Sequence, residues 1–402
     1  ADAKLLRTAE GRVYQVTLLE KLLVSLLAKL CNTVIEGGVW LNTQRPEWND
    51  ANNALVGHGL SMVTLCYMRR FVVFLRDLLA NESGEAALSS AVATWLDETA
   101  ECLNAQQSLL ESGAISSAER FAAIESLGAA SCRYRARLYE HGPGSDTDAV
   151  PLGNVVAMLD NALAVIEHSI RANRRDDGLY HAYNLMVPGD EQLDIDTLYP
   201  MLEGQVAVLS SGALGPTEAC EVIEALFDSS VFRGDQHSFM LYPDRQLRSF
   251  LEKNVIAPDR VAAISLISAM LEANDTRVVE RDALGQFRFH ADFVNAGALA
   301  QRLDELRDEH GSVVEESRAA LMKLYEDIFD HRSFTGRSGG MFGFEGLGCI
   351  YWHMVSKLLL AVQENFFNAV AIGAADTRRL GRLYYRVREG LGFNKTPEEL
   401  SL

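Results

Sequence analysis

The sequence lacks an apolar run long enough to cross a bilayer, which takes about 18 residues of helix with few or no charges. Its longest apolar stretch, residues 13–31, contains Glu20, Lys21 and Lys29 and therefore predicts an amphipathic helix. The first residues also lack the basic and apolar regions of a signal peptide. From these absences we expect a cytoplasmic protein with no membrane partner.

Cysteine is scarce and scattered. The six cysteines form neither a Cys-x-x-Cys pair nor the Cys/His spacing of a zinc site, so the sequence predicts no metal centre. Most of them stand in apolar helical patterns, which favours buried free thiols in a reducing compartment. They are Cys31, Cys66, Cys102, Cys132, Cys220 and Cys349.

Positive charge is also in short supply. Lys and Arg total 37 against 55 Asp and Glu, which gives a formal net charge of −18. A chain this acidic repels the phosphate backbone of nucleic acids and the surface of anionic membranes. We therefore expect no nucleic-acid partner, although local cations can still bind a small anion.

Helical periodicity is abundant, because apolar residues recur at i, i+3, i+4 and i+7 along most of the chain. Alternating strands are limited to two short candidates, residues 234–242 and 286–293. The sequence therefore predicts an all-α protein. The predicted helices cover residues 9–34, 58–81, 85–112, 116–140, 152–173, 215–228, 257–273, 312–330, 350–371 and 374–390.

Two arrangements of these helices compete, a solenoid and a closed toroid of helical hairpins. A solenoid repeats every 20–50 residues or so, and no such repeat is visible. Long loops rich in aromatic, amide and glycine residues favour the toroid, whose bowl they could line, because long loops in compact domains are usually functional. They cover residues 35–57, 174–213, 229–249 and 331–349, whereas 141–150 predicts a surface loop and not a domain boundary.

The first long loop concentrates polar groups around an indole. Residues 45–59 include Trp48, Asn49, Asp50 and Asn53, and Asn and Asp are poor residues for a helix interior. An aromatic ring beside a carboxylic acid suits glycoside cleavage, since the ring covers a sugar face while the acid protonates the leaving oxygen. Asp50 is the candidate acid. A structural turn with Trp48 in the core is the alternative.

A glycine-rich loop precedes the second candidate, His353. Six glycines fall within residues 336–348, where backbone N–H groups and Arg337 could hold an anion. His353 then opens a predicted helix, whose N-terminus favours negative charge. The spacing is neither that of a Walker loop nor that of a dinucleotide fingerprint. The loop predicts a phosphate site with His353 and Arg337, and a structural cap is the alternative role for His353.

These two motifs resemble glycoside hydrolase family 94, the inverting β-glucoside phosphorylases, and within it the 1,2-β-oligoglucan phosphorylase-like members. The similar segments are PEWNDANNALVG, residues 46–57, and GLGCIYWHMVSKLLLAVQE, residues 346–364. The resemblance extends over most of the chain and implies an (α/α)6 toroid. It also implies that Asp50 is the general acid and that Trp48 lines the sugar site, with Asn49 and Asn53 beside it.

The same resemblance implies that His353 binds phosphate and that Gln205 contacts sugar, because residues 204–210 are similar to a stretch that lines the bowl. Family members are longer, with an N-terminal β-sandwich and further toroid helices. We therefore expect residues 1–402 to be a single toroid-type catalytic domain or the C-terminal fragment of one. Two protein partners are considered: a second copy of the chain, in a homodimer, and an N-terminal portion that this sequence does not include.

The leading prediction is inverting phosphorolysis of β-linked glucooligosaccharides, with β-1,2 linkages favoured, to give α-glucose 1-phosphate. Asp50 protonates the glycosidic oxygen and inorganic phosphate, a co-substrate, attacks the anomeric carbon, so no cofactor is needed. One alternative is an inverting hydrolase on the same toroid, with Glu47 or Glu345 activating water. The other is a fragment that binds glucans and catalyses nothing.

Overall fold

In a computed structural model, the chain is described over residues 5–8, 10–42, 54–111, 113–244, 248–331, 334–335, 341–342, 350–392 and 396. Within these residues the protein is mostly helical, with fifteen helices. None of them is long and apolar enough to span a membrane. The chain divides into two compact units: unit 1 is Ala1–Asp244 with Gly346–Leu402, and unit 2 is Arg245–Glu345.

The described part of unit 1 contains nine helices that share one apolar core. Their starts follow from the local sequence: Thr17 accepts a hydrogen bond from the Glu20 amide, and Ser116 forms a capping box with Glu119. The helices are α1 (Leu18–Leu30), α2 (Met62–Leu79), α3 (Ser90–Glu111), α4 (Ser117–His141), α5 (Leu152–Ala172), α6 (Leu202–Ser210), α7 (Pro216–Phe227), α14 (Trp352–Ala371) and α15 (Thr377–Glu389).

The predicted helices are confirmed in their main extent, with several corrections. The first helix ends at Leu30, the second begins only at Met62, and Leu202–Ser210 is a helix within the loop predicted over 174–213. The first helix begins only at Leu18, where Thr17 caps it. Residues 85–89, predicted as helix, form a strand that pairs with residues 147–151. The helix predicted over 257–273 is interrupted at Ile264, whose φ of −116° and ψ of 108° are extended. The interruption has no Gly or Pro to announce it in the sequence.

A five-stranded antiparallel sheet in unit 1 corrects the all-α prediction. Its order is β1-β2-β3-β6-β7, with Thr33 opposite Val39, Val39 opposite Ser61, and Asn184 opposite Thr197. Strands this short cannot show a reliable alternation. The sequence therefore predicted β1 and β3 as ends of helices and the other three strands as parts of loops. The strands are β1 (Thr33–Val34), β2 (Gly38–Trp40), β3 (Gly59–Ser61), β6 (Tyr183–Pro188) and β7 (Leu193–Thr197).

Two-stranded hairpins and ladders complete the strand inventory of the described residues. The two strand candidates from the sequence are confirmed in part, since each contains a short strand at its centre. The pairs are β4 (Glu85–Ser89) with β5 (Thr147–Pro151), β8 (Phe232–Arg233) with β9 (Ser238–Phe239), β10 (Val279–Arg281) with β11 (Phe287–Phe289), and β12 (Phe334–Thr335) with β13 (Met341–Phe342).

Unit 2 has a separate apolar core, which includes the buried Phe289 and Tyr325. The Asn254 side chain bonds to both the amide and the carbonyl of Phe289, at 2.8 and 2.9 Å, and the Tyr325 hydroxyl donates to the Phe293 carbonyl at 2.8 Å. The prediction of one domain over 1–402 stays a prediction, since a catalytic domain can carry an inserted unit. The helices are α8 (Phe250–Lys253), α9 (Pro258–Ala262), α10 (Ser265–Glu272), α11 (Ala296–Glu305), α12 (Arg307–His310) and α13 (Ser312–Phe329).

Candidate functional site

The structure describes two of the predicted site residues, His353 and Gln205, and the chain on both sides of the two candidate loops. The others lie outside the described residues, and their predicted roles stay predictions. They are Trp48, Asn49, Asp50, Asn53 and Arg337, together with Glu47 and Glu345 of the hydrolase alternative.

The loop that carries Asp50 leaves and re-enters the sheet at neighbouring positions. The Leu41 amide donates to the Gly59 carbonyl at 2.9 Å, and the Gly57 amide donates to the Leu41 carbonyl at 2.7 Å. The Trp40 indole also donates to the Gly57 carbonyl at 3.1 Å. A side chain at Gly59 would place its Cβ only 2.4 Å from the Cβ of Leu55, so this crossing requires glycine. The base of the loop is therefore held firmly in unit 1.

The first turn of α6 packs residue by residue against the segment that leads into β6. Gly204 lies against Ala182, where a Cβ on Gly204 would be 2.8 Å from that of Ala182. Next to it, the Tyr183 hydroxyl donates to Glu203 at 2.8 Å. Tyr183 itself pairs with Ser61 of β3, the strand that follows the Asp50 loop. This arrangement places Glu203 beside the sheet that carries the candidate acid loop.

Gln205 also contributes to the contact between α6 and the segment before β6, and its side chain lies in the protein interior. Its amide nitrogen donates to the carbonyls of Tyr180 and Met201, at 2.7 and 3.0 Å, and its amide oxygen accepts from the Tyr180 amide at 2.9 Å. Gln205 is fully buried. These bonds give it a structural role, which is to fix α6 on the segment before β6. Its predicted contact with sugar stays a prediction.

Glu203 is a partly buried acid whose pKa is shifted by its surroundings. Burial raises the pKa of Glu203, while the Tyr183 hydroxyl and the ammonium group of Lys357 oppose that rise. Lys357 is exposed on α14. Burial and, to a smaller extent, the Glu203 charge raise the pKa of Tyr67 on α2. The partly buried carboxyl group is therefore in contact with β6 through Tyr183, and it interacts electrostatically with Tyr67 and Lys357.

His353 lies at the start of α14, as the sequence predicts. Its side chain is exposed, and its ring centroid is 5.9 Å from that of Tyr351, the N-cap residue, which makes no side-chain cap. Lys357 follows four positions later, so both side chains lie on one face of the helix.

The starts of α14 and α6 lie against the same short segment of chain. Ile350 forms a β-bridge with Met240, and the Leu202 amide donates to the Leu241 carbonyl at 3.0 Å. Tyr242 follows directly, and its ring packs edge-on against Tyr199 with centroids 6.3 Å apart. His353 and Glu203 thus belong to adjoining helix starts, with two aromatic rings close by.

The sequence predicted Glu203 only as one position of the loop 174–213, which could line a sugar site, and not as a site residue in its own right. An acidic residue in the first turn of a helix is ordinary, because the helix dipole favours negative charge there. Gly204 gave no separate signal, because glycine is ordinary in a segment predicted as a loop. Its neighbour Ala182 is identified only by the fold.

One comparison with known families bears on this chain. Residues 247–332 match the family model described as GH149 phosphorylase insertion domain 2. This segment falls within unit 2, so an insertion domain defined in phosphorylases coincides with a compact unit of the structure. No curated protein matches the chain. The resemblance to glycoside phosphorylases is confirmed at that level, whereas family 94 is not supported.

Proposed function

We propose that this protein is the catalytic part of an inverting glycoside phosphorylase, which cleaves β-linked glucooligosaccharides with inorganic phosphate. The observation that carries the proposal is the match of residues 247–332 to a phosphorylase insertion domain. Two sequence motifs support it, because those of Asp50 and His353 stand on either side of this segment in the chain. The proposal includes the (α/α)6 toroid that these motifs imply.

In the proposed reaction, Asp50 donates a proton to the glycosidic oxygen as the bond to the anomeric carbon breaks. Phosphate attacks that carbon from the opposite face, and the products are α-glucose 1-phosphate and a shortened oligosaccharide. Trp48 covers a face of the sugar, and Asn49 and Asn53 bond to its hydroxyls. Since phosphate is itself the nucleophile, no second carboxylate is required to activate water.

His353 and Arg337 are the proposed phosphate ligands. His353 is exposed in the first turn of a 20-residue helix, where the backbone N–H groups and the helix dipole favour an anion. Lys357 adds a positive charge one turn further along the same face. In a chain with a net charge of −18, this local concentration of positive charge suits phosphate.

The test is phosphate-dependent formation of glucose 1-phosphate. The purified protein is incubated with β-1,2-, β-1,3-, β-1,4- and β-1,6-linked glucooligosaccharides, with and without phosphate. We expect product only with phosphate, and the favoured linkage, β-1,2, rests on the sequence resemblance. Asp50→Asn should lower the rate by roughly 10²- to 10⁴-fold, the usual contribution of a general acid. Asp148→Asn, at an exposed position on β5, is the matched control.

Two outcomes would contradict the proposal. Glucose released in phosphate-free buffer, lost in Glu47→Gln or Glu345→Gln and retained in Asp50→Asn, would show a hydrolase. Oligosaccharide binding by calorimetry, without product at any phosphate concentration, would show a glucan-binding protein.

A further inference from the structure

We propose that a pocket between α14 and α15 binds a hexose phosphate, with the sugar ring among aromatic side chains and the phosphate group on Arg378 and Arg382. The pocket includes no residue of the acid motif or of the phosphate motif. Three observations carry the inference: the aromatic lining of the pocket, its unused hydrogen-bonding groups, and two unpaired arginines beside it. The inference does not depend on the proposed phosphorylase activity.

The pocket is a cavity of about 220 Å³ whose lining is mostly aromatic. From α14 it receives Phe366 and Phe367, whose ring centroids are 5.4 Å apart in an edge-to-face pair. From α15 it receives Tyr384 and Tyr385, which form a second edge-to-face pair at 5.4 Å. Phe367 is 58% exposed and Tyr385 60% exposed. Exposed aromatic surface in a cavity suits a ligand with an apolar face, such as a sugar ring.

Gly381 keeps the pocket open where the two helices pack. A Cβ at this position would lie 3.4 Å from Cε2 of Phe366, so a longer side chain there would occupy the cavity. The size of the cavity suits one sugar ring and not an oligosaccharide, because sites for larger ligands usually enclose about 300–1,000 Å³.

Three polar groups in the lining are unused. The side-chain amide of Gln363 and the hydroxyl groups of Tyr384 and Tyr385 make no hydrogen bond to any residue that the structure describes. Amide and hydroxyl groups both donate and accept, as sugar hydroxyls do. Among the described residues, none that lines the cavity carries a charge. The lining therefore suits a neutral ring with hydroxyl groups better than it suits an apolar side chain or an ion.

Positive charge is concentrated on α15, beside this pocket. The helix has five arginines and one glutamate in 13 residues, in a chain whose net charge is −18. Two of the arginines are used inside the fold. Arg379 donates to Glu224 from its Nε at 2.8 Å, and Arg386 lies 3.7 Å from the ring centroid of Phe227. These two arginines therefore fix α15 on α7.

Arg378 and Arg382 differ from them, because both are exposed and neither forms an ion pair with a carboxylate of the described residues. They stand four positions apart, so they lie on one face of the helix. Arg378 precedes Gly381 by three positions, and Arg382 precedes Tyr385 by three, so each neighbours a residue that lines the pocket. Two guanidinium groups one turn apart suit a phosphate group, which each can bind through two hydrogen bonds.

Together these groups favour one class of ligand. A free phosphate ion would leave the aromatic pocket empty, and a neutral sugar would leave both arginines unpaired. A nucleic acid is repelled by the overall negative charge of the chain. A sugar ring that carries a phosphate group uses both parts of the surface.

The pocket is separate from the candidate phosphate site. His353 lies in the first turn of α14, and the lining residues Gln363 and Phe367 follow it by ten and fourteen positions. At 1.5 Å per residue, they lie roughly 15–21 Å further along the same helix. A hexose phosphate in the pocket therefore does not occupy the place of the phosphate co-substrate.

The experiment is calorimetric titration of the protein with glucose 6-phosphate, which is not the product of the proposed reaction. We expect one molecule to bind per chain. Substituting both Arg378→Met and Arg382→Met should weaken this binding roughly 10- to 100-fold, the usual effect of removing charged hydrogen bonds. Arg135→Met should leave the affinity unchanged. It is the matched control, because Arg135 is exposed on α4 and also forms no ion pair with the described residues.

Gly381→Leu tests the pocket without removing a charge. Leucine is a better helix former than glycine, so the variant should fold, while its side chain should fill the cavity and abolish binding. Gly128→Leu in α4 is the control, since nothing lies within 4 Å of a Cβ there, and it should bind as the wild type does. Thermal melting verifies that both variants are folded.

Three further ligands define what the pocket recognises. Glucose 1-phosphate is titrated into His353→Ala, in which the candidate phosphate site is impaired. Either ester satisfies the inference, and the tighter of the two identifies the position of the phosphate group. Glucose and inorganic phosphate should each bind at least about 10-fold more weakly than the tighter ester, because each makes only part of its contacts.

Three outcomes would overturn the inference. The first is that neither ester binds the wild-type protein. The second is binding that both Gly381→Leu and the double arginine substitution leave unchanged, or that inorganic phosphate equals. The third is a dimer that Tyr385→Ala dissociates, without binding of either ester, which would show that the pocket is a protein interface.

This inference and the phosphorylase proposal fail in different ways. If the wild-type protein binds a hexose phosphate in the pocket but forms no glucose 1-phosphate from oligosaccharide, only the phosphorylase proposal fails. If it forms glucose 1-phosphate and the pocket variants bind the esters as the wild type does, only the pocket inference fails.

Discussion

Gly204 approaches Ala182 so closely that a Cβ at position 204 would lie 2.8 Å from the Cβ and 2.9 Å from the Cα of Ala182. This approach allows the flanking residues to make their own contacts, Glu203 with Tyr183 and Gln205 with Tyr180. Three consecutive residues of α6 therefore fasten the helix to the chain entering β6. The residue that fits this crossing without displacing the backbone is glycine.

Gly204→Ala should destabilise unit 1 by about 1–3 kcal/mol, the usual cost of forcing an extra carbon into a packed contact. Chemical denaturation gives the free energy of unfolding. Gly128→Ala in α4 is the matched control, since nothing lies within 4 Å of a Cβ there. That control should gain about 0.5–1 kcal/mol, because alanine is the better helix former. Equal effects of the two substitutions would contradict this account of the α6 contact.

Stability should depend on the ionisation of Glu203 in a direction that follows from its burial. Its pKa in the folded protein is raised above the ordinary value of 4.5, so the native state binds the proton more tightly than the unfolded chain does. The contribution of Glu203 to the free energy of unfolding of the wild-type protein therefore falls as pH rises above about 4.5. Glu203→Gln cannot ionise, and its stability relative to wild type should increase between about pH 4 and pH 7.

Glu119 provides a comparison of opposite sign for the same measurement. Hydrogen bonds from the Ser116 side chain and amide lower the pKa of Glu119, so its contribution is present at neutral pH and lost in acid. The stability of Glu119→Gln relative to wild type should therefore decrease as pH rises towards about 4.5 and stay constant above it. A change for Glu203→Gln confined to the same acidic range, and of the same sign, would show that the environment of Glu203 is misassigned.

His353→Ala should raise the KM for phosphate, because it removes a charge-capable donor from the start of α14. The expected rise is roughly 10- to 100-fold, with a much smaller change in the KM for oligosaccharide. Initial-rate kinetics at varied phosphate measure it. Ser356→Ala on the same helix is the control, since the Ser356 hydroxyl donates to the Trp352 carbonyl and is exposed. A change confined to the oligosaccharide KM would remove His353 from the phosphate site.

The cysteines should differ in reactivity according to burial. Burial raises the pKa of Cys66 to about 12 and that of Cys220 to about 11, so both are protonated and enclosed under native conditions. Cys132 is exposed. N-ethylmaleimide at about pH 8 should label Cys132 rapidly and the other two only after unfolding. Peptide mapping by mass spectrometry identifies the sites, and Cys132→Ser should remove the fast label from that peptide.

The cysteines also show how well burial can be predicted from composition and helical pattern. The prediction of buried free thiols is confirmed for Cys31, Cys66 and Cys220, and it is wrong for Cys132, which lies on the outer face of α4. A helical pattern identifies a helix more securely than it identifies which marginal positions face solvent. The side of α4 that is covered depends on α3 and α1, which pack against it.

In the candidate site, too, some features follow from the sequence and others are shown only by the structure. His353 at the start of a helix follows from its local sequence, and the structure places it there. The interactions of Glu203 could not be identified, because Tyr183 is 20 residues away and Lys357 is more than 150 residues away in the chain. A hydrogen bond and a charge interaction over such separations leave no periodic trace in the sequence.

By itself, the sequence determined most of the long helices of this protein and the residue types in its two candidate loops, because helical periodicity and chemical composition are local properties. Only the tertiary structure decided that short segments such as 38–40 and 59–61 pair into a sheet, and that residues 245–345 form a compact unit of their own. It also decided that Gly204 meets Ala182 and so presents Glu203. The physical reason is common to all three: each depends on surfaces that meet only when distant parts of the chain have packed together.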